Sequence, residues 1–125
     1  MTIKVSKTRL DFGTIGMRNY AESVNALGNV SGTVNIDYSA GSVVTATSVG
    51  DTVWNVLNAA ASGKTSSFIL VLTNGGTYVQ TWFSGTKWPY DSAPTLTASG
   101  VDVFTFFSTD GGATWRGVLA MKDSR

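Results

Sequence analysis

The chain has 125 residues, a formal net charge of +1, and neither Cys nor His. That length supports one domain with a single core. The near-neutral charge gives no long-range field to gather nucleic acid or an anionic membrane. Without Cys and His there are no disulfides, no thiolate or imidazole metal ligands, and no imidazole base for chemistry near neutral pH.

Charged residues are 14% of the chain, while Ser and Thr fill 31 positions. Soluble domains carry roughly 25% charge, so this surface is built from hydroxyls and glycine instead. Such a surface suits a protein that ends up covered by neighbours.

Taken in chain order, the first ten residues are polar and basic and lack the apolar core of a signal peptide. Lys4, Lys7, Arg9 and Arg18 face only Asp11 in the first eighteen positions. They are too few for a nucleic-acid arm, but enough to bias how an N-terminal segment docks, and they are the candidate anchors. Tyr20, Val24 and Leu27 have helical spacing with Gly28 as a C-cap. A short helix there competes with an extended arm, and the extended form is preferred. The expected division is an arm over residues 1–31 and a β domain over residues 32–125.

Val34, Ile36 and Tyr38 alternate with Thr33, Asn35 and Asp37, the period-2 pattern of a half-buried strand. Residues 39–42 read as a turn, and residues 42–49 as a strand that Gly50-Asp51 breaks before a further strand over 52–57. Residues 58–64 form a loop of mostly small residues. Residues 67–73 and 77–83 read as a hairpin across Asn74-Gly75-Gly76, residues that tolerate the positive φ of tight turns. Residues 84–99 hold both prolines and read as a surface crossing. Residues 101–108 and 114–122 form the last strand pair. The sum is about eight short strands: an all-β, antiparallel β-sandwich or jelly-roll-like single domain behind an extended N-terminal arm. The longest apolar run, residues 68–72, is too short to span a bilayer.

The late strands are apolar on both faces. Phe68, Leu70 and Leu72 oppose Ile69 and Val71; Phe104 and Phe106 oppose Val103 and Phe107; Trp115, Leu119 and Met121 oppose Val118 and Ala120. A two-layer sandwich buries one face of each sheet. The second face therefore needs cover, from loops, from the arm, or from a symmetric partner. Phe107, Val103, Trp88 and Tyr90 are the interface candidates, with Phe106 assigned to the core.

Ser108, Asp110, Gly112, Thr114 and Trp115 fit the pattern S-x-D-x-G-x-T-W and resemble the Asp box of sialidase-type propellers. The Asp carboxylate accepts turn N–H bonds, and the Trp packs beneath. A propeller needs several copies, so one copy reads as a structural turn. Paired catalytic carboxylates are not apparent: Asp37, Asp51, Asp91 and Asp110 sit at turn positions. A calcium site using Asp91, Asp102 or Asp110 is the weighed alternative. The expected protein is not an enzyme and carries no cofactor or metal. Trp82, Phe83, Trp88, Pro89 and Tyr90 form an aromatic cluster suited either to a core and interface or to stacking on sugar rings.

Six segments together resemble a β-sandwich module recurrent in phage and prophage virion proteins. They are Gly32-Thr33-Val34-Asn35-Ile36-Asp37, Ser66-Ser67-Phe68-Ile69-Leu70-Val71-Leu72-Thr73-Asn74-Gly75-Gly76, Lys87-Trp88-Pro89, Ala93-Pro94-Thr95-Leu96-Thr97, Gly100-Val101-Asp102-Val103 and Thr109-Asp110-Gly111-Gly112-Ala113-Thr114-Trp115. The resemblance spans residues 32–122 in the same order. It implies particle proteins: head decoration or cement proteins, head fibres and tail-fibre tips, commonly homotrimeric.

The family's loop after Trp-Pro is often glycine-rich, whereas Tyr90-Asp91-Ser92 follows here. A module without a collagen-like or coiled-coil shaft favours a capsid decoration or cement protein. Such a protein is made in the bacterial cytoplasm and binds the major capsid protein or another virion protein. The alternative is a tail-fibre or head-fibre tip that binds host surface glycan.

Overall fold

A computed structural model describes residues 13–125. Lys4, Lys7 and Arg9 lie outside the described residues, and Arg18 stands exposed on an irregular stretch. Seven strands form one sheet: β1 (Val24–Asp37), β2 (Val43–Leu57), β3 (Ser66–Thr73), β4 (Gln80–Thr81), β5 (Thr86–Lys87), β6 (Val101–Ser108) and β7 (Trp115–Met121). The described chain is all-β, with three 3₁₀ turns and no α-helix. β1 begins at Val24, so the sheet takes in residues from the arm side of position 32.

The sheet order is β1-β2-β3-β6-β7-β5, with β4 also pairing to β2. The expected antiparallel pairing holds for β3–β6 and β6–β7. It fails elsewhere, because β1–β2, β2–β3, β2–β4 and β5–β7 are parallel. The β1–β2 register places Val24 beside Val43 and Asp37 beside Leu57. A straight 14-residue strand would be about 45 Å long, and the six residue steps from Asp37 to Val43 reach at most ~20 Å. Parallel pairing through so short a link is possible only if both strands bend.

The bend is visible in the backbone. Gly28 and Gly32 adopt φ of +70° and +69°, next to register slips at Ala26/Gly28 and Val30/Gly32. These glycines make bulges that re-aim a continuous strand. Gly50-Asp51 likewise does not end a strand, and β2 runs through it. The Ser48 and Thr52 hydroxyls both donate to the Gly50 carbonyl, at 3.2 and 3.0 Å, satisfying it at the corner. Past the corner, β2 leaves β3 and takes up β4 at Thr52 and Val53.

The hairpin expected across Asn74-Gly75-Gly76 does not form. Both edges of β3 are occupied, by β2 and by β6. Asn74 instead takes a left-handed conformation that leads into a 3₁₀ turn, and its N–H donates to the Gly100 carbonyl at 2.8 Å.

Folding over at the corner makes one sheet behave as two layers. Trp54, from the second half of β2, stacks on Trp82 with ring centroids 6.3 Å apart. Trp82 in turn meets Phe104 at 5.0 Å and Phe106 at 5.8 Å on the opposite layer. Phe68, Phe83 and Trp115 complete a continuous aromatic core. The indole N–H of Trp54 donates to Gln80 Oε1 at 2.8 Å, while Gln80 Nε2 donates to Ser48 Oγ and the Gly75 carbonyl. That amide is fully used in holding the layers together.

Candidate functional site

The site begins with alternation in β3 and β6. Phe68, Leu70, Leu72, Phe104 and Phe106 point into the core, leaving Ile69, Val71, Val103 and Phe107 on the other side. Phe106 is fully buried while Phe107 is 41% exposed, following the assigned opposite directions. Strand alternation puts Met121 on the same side as Trp115 and Leu119. A slip in the β6–β7 register at Val103/Phe104 instead sets Met121 opposite Val103, on the outer face.

The registers extend that face across five strands. Val24, Val43, Ile69, Thr105 and Val118 are cross-strand neighbours in one row. Ala26, Thr45, Val71, Val103 and Met121 form the next row. Ile69 is 39% exposed, Val118 45% and Met121 54%. The described part of the arm, residues 13–23, is itself exposed and leaves these side chains open. The face is contiguous and largely apolar. Its extension onto β1 and β2 was not read from the sequence. Only the parallel pairing brings Val24 and Val43 into line with Ile69.

Trp88 and Tyr90 do not share this face. Trp88 belongs with the core, its ring 5.4 Å from Trp82 and 5.5 Å from Phe106. Gly117 makes room for it: a Cβ there would lie 2.6 Å from Phe106 Cε1 and 3.1 Å from Trp88 Cζ3. Tyr90 is fully exposed at the tip of the next turn. The Asp91 N–H donates to the Trp88 carbonyl at 3.0 Å, and the Ser92 N–H to that of Pro89 at 3.2 Å. Tyr90 and Asp91 both have positive φ, +55° and +54°.

The aromatic cluster weighed for sugar stacking is thus divided. Phe83 is buried, Trp82 and Trp88 are partly buried among core rings, and Pro89 and Tyr90 are exposed. A cleft of about 220 Å³ is walled by Gly76, Tyr78, Trp82, Ala93, Pro94 and Leu96. Sequence reading missed it, because Tyr78 and Pro94 come from segments with no shared pattern.

The Asp-box turn is local architecture. Asp110 Oδ1 accepts the Thr114 N–H at 2.9 Å and the Ser108 hydroxyl at 2.9 Å, and Ser108 Oγ accepts the Gly112 N–H at 3.0 Å. The Thr114 N–H, then Ser108, hold the Asp110 carboxyl below its ordinary range. Gly111 and Gly112 supply positive φ, and Trp115 is buried beneath.

Asp102, weighed as a calcium ligand, is fully buried and committed to protein donors. It accepts the Thr97 N–H and hydroxyl at 2.7 and 2.8 Å and the Asp123 N–H at 3.0 Å. Among the described residues no group of three or more acidic side chains could hold a metal ion, and no helix is long and apolar enough to cross a membrane. Comparison with family models, with curated proteins and with solved structures finds no match.

Proposed function

We propose that this chain is a structural component of a bacteriophage particle. In this reading it is a capsid decoration or cement protein that assembles as a homotrimer and binds the major capsid protein or another virion protein. The observation that carries the reading is the outer face of β1, β2, β3, β6 and β7, apolar at Val24, Val43, Ile69, Val71, Val103, Val118 and Met121. A contiguous, largely apolar face of this kind supports contact with another protein surface. The low charge and hydroxyl-rich surface support the same reading, and the phage setting rests on the segment resemblance described above.

A second reading, a tail-fibre or head-fibre tip that binds host surface glycan, draws on one observation, the bare aromatic ring of Tyr90. Immunogold labelling with antibody raised against the purified chain separates the two, applied to particles released from the bacterium that encodes it. Gold on the capsid surface is the expected outcome. Gold confined to tails would support the tip, and particles free of label would overturn both readings.

A further inference from the structure

The cleft of about 220 Å³ lined by Tyr78, Gln80, Trp82, Pro94 and Thr95 combines fixed walls with polar groups that the chain leaves unused. Trp82 is held by Trp54, Trp88 and Phe104, at ring-centroid distances of 6.3, 5.4 and 5.0 Å. The Gln80 amide is committed to Trp54, Ser48 and the Gly75 carbonyl, so its position is fixed too. The Gly76 N–H donates to the Thr97 carbonyl at 3.0 Å, and a Cβ on Gly76 would overlap the Leu96 carbonyl oxygen. The missing side chain at Gly76 is what lets the segment of residues 93–97 close against the turn. Walls tied in this way lose little freedom when a ligand enters.

Tyr78 is 37% exposed, and neither its hydroxyl nor that of Thr95 has a hydrogen-bond partner among the described residues. The backbone N–H groups of Thr95 and Leu96 are likewise unpaired among the described residues. None of the described residues lining the cleft is charged. Aromatic and proline rings thus stand beside a few neutral donors and acceptors, the make-up of a small-molecule site. A pyranose ring has the matching surface, an apolar face of C–H groups and a rim of hydroxyls. Its C–H face would remove the rings of Tyr78 and Pro94 from water, while its hydroxyls meet the free groups of Thr95. A charged sugar would find no ion partner there and would give up hydration uncompensated. Drug-sized ligands take pockets from about 300 Å³ upward, so this smaller cleft has room for one ring. It is open to solvent, which lets the neighbouring sugars of a chain leave it.

We infer that the Tyr78–Trp82–Pro94 cleft binds one neutral pyranose residue of a polysaccharide. The site is complete within one chain, so it depends neither on self-association nor on a place in a particle. Tyr90 takes no part, because it does not line the cleft. A proline-rich peptide also packs on aromatic walls, but it docks along an extended groove, and this is a single pocket. One ring makes few contacts and binds weakly. Many copies displayed together would raise the avidity for a repeating glycan.

Nuclear magnetic resonance on the isotope-labelled chain tests the site. The probes are the methyl glycosides of glucose, galactose, mannose and N-acetylglucosamine, taken into the millimolar range, with glucuronate and oligoproline alongside. At least one neutral glycoside should shift the amide signals of Gly76, Thr95 and Leu96 and the indole signal of Trp82, while glucuronate shifts none. Tyr78→Ala and Thr95→Ala change exposed positions and should keep the parent's spectrum elsewhere. Each should weaken binding by about tenfold. Tyr90→Ala should bind as the parent does, which separates this cleft from the ring invoked for a glycan-binding tip. Shifts with no neutral glycoside, or shifts that persist at full strength in Tyr78→Ala and Thr95→Ala, overturn the site. Shifts with oligoproline alone overturn the sugar in favour of a peptide.

Discussion

Phe106 and Phe107 are adjacent, chemically identical and pointed in opposite directions, so truncating each in turn tests the face assignment directly. Phe106 is fully buried, with ring centroids of Phe83, Phe68, Trp88, Trp82 and Phe104 all within 6 Å. Phe→Ala at such a site costs about 3–5 kcal/mol from lost transfer and the cavity left behind, and the ring pairs place it toward the upper end. Phe107 touches no core ring and keeps 41% of its surface in water. Its truncation in a dissociated chain should cost about 1 kcal/mol. With a urea m-value of about 1.5 kcal/mol/M, the unfolding midpoint should fall by about 2–3 M for Phe106→Ala and by about 0.7 M for Phe107→Ala. Trp fluorescence at concentrations too low for association reads both midpoints.

Light scattering at higher concentration should reverse the ranking. Phe107→Ala loses mass through weakened assembly, while folded Phe106→Ala keeps the parent's mass. Equal midpoint shifts, or a larger one for Phe107, would refute the division of β6 into a core face and an open face.

Two further predictions concern the turns. Asp110→Asn removes the charge that the Thr114 N–H and Ser108 hydroxyl stabilise. Because the folded carboxyl titrates below its unfolded value of about 3.9, the loss of melting temperature relative to the parent should be full above about pH 4 and close as pH falls through the folded value. A gap that stays constant down to about pH 2 would mean the charge is not what matters. Gly85→Ala combines a φ of +80° with a Cβ that would overlap the Ala113 carbonyl oxygen, where the chain enters β7. It should cost on the order of 3 kcal/mol, measured as loss of cooperative unfolding or of soluble yield, and an unchanged melting curve would contradict the β5–β7 junction.

The parts of this protein legible in the sequence are those that local chemistry dictates. Alternation in residues 68–72 and 103–107 assigned their core and open faces, because side chains in a strand alternate whatever partner the strand finds. The turn at 108–115 was equally legible: its carboxylate, hydroxyl and glycines act within eight residues of one another. Pairing was another matter. Gly28 reads as a helix C-cap and Gly50 as a strand break, but both are corners in continuous strands, since positive φ or a missing Cβ serves a bulge as well as a turn.

Asn74-Gly75-Gly76 has the composition of a hairpin, yet β2 and β6 hold both edges of β3 and leave no place for one. The same tertiary choice carried Val24 and Val43 onto the outer face and set Tyr78 beside Pro94. A strand's hydrogen-bonding edges are chemically alike in every sequence. Which edge meets which is decided by how the whole chain buries its aromatic core, and here that required β1 and β2 to bend around it.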